Sequence, residues 1–86
     1  MTLTNVDIQL YVVYLMEDET PIYYKGSTFY NVSEWTTEIT CAFFFNHEPR
    51  RFELTEILEN SDYKDIGMSD ILIKSLQLEV KKTNEI

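Results

Sequence analysis

Between Val6 and Met16 the side chains alternate. Val6, Ile8, Leu10, Val12, Tyr14 and Met16 fall on one face, and Asp7, Gln9, Tyr11, Val13 and Leu15 on the other. A period of two is the signature of a β-strand, because successive side chains of an extended chain point to opposite sides. The second face turns apolar toward its end. This stretch commits the first half of the chain to an antiparallel sheet.

The segments that follow supply the partners. Glu17-Asp18-Glu19-Thr20-Pro21 is polar, closes on proline and reads as a turn. Ile22 to Tyr30 is rich in Tyr and Phe, with Gly26-Ser27 as a bulge or bend. After a turn at Asn31 to Glu34, Trp35 to Phe45 reads as a third strand, with Trp35, Thr37, Ile39, Cys41, Phe43 and Phe45 on one face. Asn46-His47-Glu48-Pro49 ends this three-stranded meander, since proline cannot donate to a ladder. The period then changes. Leu54, Ile57 and Leu58 at helical spacing predict a short helix over Glu53 to Asn60, followed by a loop from Ser61 to Ser69 that pivots on Gly67. Two readings are open for the end. Ser69 could cap a helix in which Leu72, Leu76 and Val80 share a face. Alternatively Leu76, Leu78 and Val80 alternate with Gln77, Glu79 and Lys81 as a closing strand, which the clean period-2 run favours. Either way the class is α+β: a small antiparallel sheet with one short helix. Trp35, Ile39, Phe43, Leu54, Ile57 and Leu58 are the expected core.

Domains usually run from about 50 to 250 residues, so an 86-residue chain makes one domain, expected over 1–82 with Thr83 to Ile86 as a flexible tail. A 14% aromatic fraction argues against disorder. Cys41 is the only cysteine, which fits a reducing cytoplasm, and its apolar neighbours Ala42 and Phe43 predict a buried structural thiol. The N-terminus lacks a basic region, so no secretory leader is expected. The longest apolar run, Leu10 to Met16, is too short for a bilayer, which needs about 20 residues.

The chain carries no recognisable catalytic set. His47 is the only histidine, and its place in a polar turn predicts exposure, so nucleophilic triads lack a base. Zinc sites need several Cys and His ligands, and the chain has one of each. Two glycines exclude a Gly-rich nucleotide fingerprint. Around Asp62 to Gly67 the acids lie three apart instead of two, against a Ca²⁺ loop. Carboxylate pairs are plentiful, but a glycosidase-like pair needs a cleft that so small a chain is poorly able to build. The expectation is a protein that is not an enzyme and needs no cofactor.

The charge pattern carries the functional reading. Net charge is −8, which repels nucleic acid and anionic lipid and attracts basic proteins. Residues 1–20 carry −4, residues 21–52 are balanced, residues 53–72 carry −5 and the remainder carries +1. Within the third segment Glu53, Glu56, Glu59, Asp62 and Asp65 recur every three residues. On a helix such a step rises about 4.5 Å, comparable with the roughly 3.4 Å between phosphates along one DNA strand. Three readings of the run are open: a mimic of a phosphate row, an ordinary solvated face, and a cation site. A solvated face usually mixes signs to gain i,i+4 pairs, and this run does not.

This profile resembles the small acidic proteins that lytic bacteriophages make to disable host factors. Some of those mimic DNA, among them inhibitors of uracil-DNA glycosylase, restriction enzymes, CRISPR nucleases and the histone-like nucleoid protein HU. The resemblance spans the whole chain and rests on length, charge and the acidic run from Glu53 to Asp65. Such families share no motif, so no functional residue carries over. It implies a non-enzymatic inhibitor acting in the bacterial cytoplasm on a basic DNA-binding protein. HU is favoured, because it reads DNA largely through the backbone. The expected interface joins Glu17, Asp18 and Glu19 to Glu53, Glu56, Glu59, Asp62, Asp65 and Asp70. The alternative is an assembly module that self-associates, as a homodimer for example, through sheet edges and aromatics such as Tyr23, Tyr24 and Phe44.

Overall fold

The computed structural model describes the backbone of residues 2–62 and 66–84, and side chains over residues 8–62 and 66–77. The α+β expectation holds. Four strands, β1 (Thr2–Glu17), β2 (Thr20–Ser27), β3 (Ser33–Thr36) and β4 (Leu72–Asn84), form an open sheet in the order β3-β2-β1-β4. All pairings are antiparallel. The closing element is the strand and not the helix. It runs through Thr83 and Asn84, assigned above to a tail, because β1 reaches back to Thr2 and Leu3 and continues the ladder.

β1 and β2 meet in a two-residue turn. Glu17 pairs with Thr20, and Asp18 and Glu19 between them take φ values of 47° and 68°. Positive φ at both central positions is what a type I′ hairpin turn requires, and its preferred residues are Asn-Gly. At the other end of β2 the expected irregularity is present: pairing with β3 shifts register between Tyr24 and Gly26, and Gly26 adopts φ 116°.

The third strand is much shorter than the alternation predicted. β3 stops at Thr36, whose hydroxyl accepts the Glu38 N–H at 3.1 Å and turns the chain. A 3-10 turn, Ile39–Cys41, replaces the strand. Ile39 and Ala42 pack with Val12, Tyr14, Tyr23 and Leu76 on one face of the sheet. The chain then returns through the wedge where β2 leaves β1. Phe43 N–H donates to the Tyr24 carbonyl at 2.8 Å, and Phe45 exchanges both backbone bonds with Tyr11. Two expectations fall with that strand. Cys41 is exposed, its thiol 3.6 Å from a Glu38 carboxylate oxygen, because a 3-10 turn does not continue the buried face. Phe43 is 45% exposed for the same reason.

The opposite face carries the main core. Val13, Leu15 and Tyr24 of the sheet pack against Ile57 of the helix and Ile71, with Trp35, Phe45, Leu54, Leu58 and Ile66 around them. Helix α1 spans Arg51–Glu59, two residues earlier than its apolar spacing predicted, because the Leu54 N–H already bonds to the Arg50 carbonyl. Its far end is tied to β3. The Ser33 hydroxyl donates to the Ile57 carbonyl and the Ser33 N–H to the Asn60 carbonyl, both at 2.8 Å. Of the expected core, Ile57 is buried, and Trp35, Ile39, Leu54 and Leu58 are half-buried.

The molecule is elongated, 56 × 29 × 21 Å. Its radius of gyration is 16.0 Å, where a compact chain of this length has about 12 Å. The long axis comes from β1 and β4, which pair continuously from Thr2–Asn84 to Tyr14–Leu72, whereas β2 meets β1 only from Tyr14 to Glu17.

Candidate partner-binding site

The acidic residues occupy two places joined by one element. Glu17, Asp18 and Glu19 are exposed at the β1–β2 turn. Glu17 shares a shallow hollow with Asp70, Ile66 and Leu72. Asp70 lies in a 3-10 turn, Met68–Asp70, which contacts α1. Its carboxylate accepts the Gly67 N–H at 2.9 Å. The turn at Asp70 thus stands between the Glu17 turn and the helix, on the side of the sheet that α1 covers.

On α1 the three-residue step does not make a straight row. Each step turns the helix back by about 60°, so Glu53 and Glu59 are separated by about 120° around the axis. Glu53 and Glu56 border one hollow, and Glu56 and Glu59 another. The helix ends at Glu59, so Asp62 follows it as an exposed residue outside the helical row. Asp65 lies outside the described residues. Glu53 is also not free: His47 Nε2 is 3.0 Å from both its carboxylate oxygens. His47 is itself exposed, as its turn predicted.

The helix's own dipole and spacing do not favour Glu56 and Glu59. Glu56 and Glu59 sit in the C-terminal half of α1, where the helix dipole disfavours anions, and no basic residue occupies the last turn. Neither has a Lys or Arg three or four positions away, and they are three apart from each other. Arg50 and Arg51, at the N-terminal end of α1, border the same hollow as Glu56 and Glu59, and no ion pair joins them to either among the described residues.

Sequence reasoning missed the surroundings of Glu53. Phe43, Phe44, Phe45 and His47 border the same hollow as Glu53 and Glu56. The signal was available in the Phe43-Phe44-Phe45 run, because three successive phenylalanines cannot share one face of an extended chain. At the tip of the β2–β3 connection Phe29 and Tyr30 are 95% and 84% exposed and meet edge to face, 5.5 Å between ring centres.

Among the described residues no group of three or more His, Cys, Asp or Glu could hold a metal ion, and no helix is long and apolar enough to cross a membrane. No protein-family model matches the chain, and neither a curated protein nor a solved structure does.

Proposed function

We propose that the chain is a non-enzymatic binding protein, an acidic DNA mimic that occupies the Lys/Arg surface of a basic DNA-binding protein of the host cell, with HU as the favoured target. One observation carries the reading: carboxylates stand where local stability would not put them. Glu56 and Glu59 oppose the helix dipole and repel each other. Asp18 and Glu19 fill a turn that prefers Asn-Gly, at a cost of about 1 kcal/mol per residue. A cationic partner offsets the electrostatic penalty at Glu56 and Glu59 on binding; the backbone strain of the turn persists in the complex. On this reading the contact falls to Glu17, Asp18, Glu19 and Asp70 around the β1–β2 turn and to Glu56 and Glu59 on α1, with Glu53 tied to His47. The test is a titration of purified HU at two ionic strengths. Affinity should fall at least tenfold between about 50 and about 300 mM salt, as screening shortens the reach of surface charges. Absence of binding, or binding indifferent to salt, would count against it.

A second reading, self-association, is favoured by the β1/β4 ribbon. β4 is an edge strand along its whole length, and over Thr2 to Leu10 the described ladder of β1 is with β4 alone. The register sets Val6 opposite Val80, Ile8 opposite Leu78 and Leu10 opposite Leu76. Residues 2–10 and 76–84 together are charge-balanced, so like-charge repulsion does not oppose pairing there. Long free edges of this kind recruit a second copy. Sedimentation velocity distinguishes the two: a salt-insensitive dimer supports the ribbon interface, and a monomer up to high concentration removes it.

A further inference from the structure

Beside α1 lies a hollow of about 470 Å³, bordered by Phe43, Phe44, Phe45, His47, Glu53 and Glu56. Its size falls among clefts of roughly 300–1,000 Å³ that hold small organic groups. We propose that this hollow takes the guanidinium of an arginine side chain presented by a protein partner. The proposal rests on the acidic-face reading and names the contact that anchors it.

The aromatic wall is held in place. Phe45 meets Phe43 edge to face at 4.8 Å, stacks on Tyr24 at 6.2 Å and meets His47 edge to face at 5.9 Å. Phe43 and Phe44 nevertheless keep 45% and 39% of their surface exposed. Exposed rings beside carboxylates fit one ligand chemistry best. Ring faces attract cations. A guanidinium is planar, weakly hydrated, stacks on rings and bonds carboxylates through two parallel N–H donors. The two carboxylates have divided states. His47 fixes Glu53 at 3.0 Å, while Glu56 has no ion-pair partner among the described residues. Glu56 is therefore the acceptor left for the ligand, and Glu53 supplies positioned negative charge. An anion would be repelled by both groups. An uncharged apolar ligand would desolvate Glu56 without supplying it a partner. A lysine ammonium would satisfy the charge and forgo the planar stacking.

The experiment follows backbone and ring resonances by NMR while Nα-acetyl-arginine amide is titrated in, with the uncharged isostere Nα-acetyl-citrulline amide as control. Arginine amide should shift residues 43–47 and 53–60, and citrulline amide should not. Phe44→Leu keeps the apolar bulk of an exposed side chain and removes the ring; it should weaken the arginine probe about fivefold with an unchanged melting temperature. Shifts centred on Glu17 to Glu19 and Asp70, equal shifts from citrulline amide, or parental affinity in Phe44→Leu would each overturn the proposal. Capture of a basic DNA-binding protein separates the two readings. If Phe44→Leu captures it as tightly as the parent, the anchor falls and the acidic face stands. If the parent captures none, the face itself falls.

Discussion

His47 Nε2 lies 3.0 Å from both carboxylate oxygens of Glu53, across the gap between the post-β3 loop and the first turn of α1. The pair divides the acidic helix into one glutamate tied to its own chain and two, Glu56 and Glu59, left to solvent or a partner.

Replacing His47 with alanine should therefore leave the long-range attraction of the acidic face intact, while freeing the Glu53 carboxylate that it positions at the hollow. The pair is only partly buried, with 47% and 21% of the two side chains exposed, so stability should change by less than about 1 kcal/mol. Glu53 is released, and association with a cationic partner should be at least as fast as for the parent in stopped-flow measurements. Association slower than the parent's would count against the acidic-face reading.

The two faces of the sheet give a stability test. Ile57→Ala removes a buried side chain from the main core and should cost about 2–5 kcal/mol in chemical denaturation. Phe43→Ala, at a site 45% exposed, should cost about 1–2 kcal/mol. Equal losses would show that Phe43 is buried after all.

At the hairpin turn, replacing Asp18-Glu19 with Asn-Gly should raise stability by about 1 kcal/mol, because glycine adopts positive φ without strain. The same change removes two carboxylates and should slow association with a basic partner. A variant that is both more stable and equally fast to bind would separate the turn from the interface.

The strands were legible where alternation is unambiguous. Val6 to Met16 and Leu76 to Lys81 are period-2 runs, and they became β1 and β4. Trp35 to Phe45 is also period-2 on one face, yet it broke after Thr36. A local competitor won there: the Thr36 hydroxyl captured the Glu38 amide, and a tertiary slot between β1 and β2 captured Phe43 and Phe45. Neither is written in a periodic pattern. The acids could be named from sequence, but their grouping could not. That Glu17 and Asp70 border one hollow, or that His47 ties Glu53, depends on how the chain crosses the sheet.

Neutralising the acidic run tests the central claim most directly. Glu53, Glu56, Glu59, Asp62 and Asp65 changed to Gln or Asn keep their shape and lose five like charges. The fold should survive, since Glu56, Glu59 and Asp62 are exposed carboxylates that contribute little, and Glu53→Gln keeps an oxygen acceptor for His47. Binding to HU should collapse, mainly through slower association as long-range attraction is lost. Duplex DNA should displace the unmodified protein from HU. Neutralising Glu34, Glu38 and Glu48, from the balanced segment, should matter far less. Parental affinity in the five-site variant, or a complex that excess DNA leaves intact, would contradict the account and return the acidic run to a solvated surface.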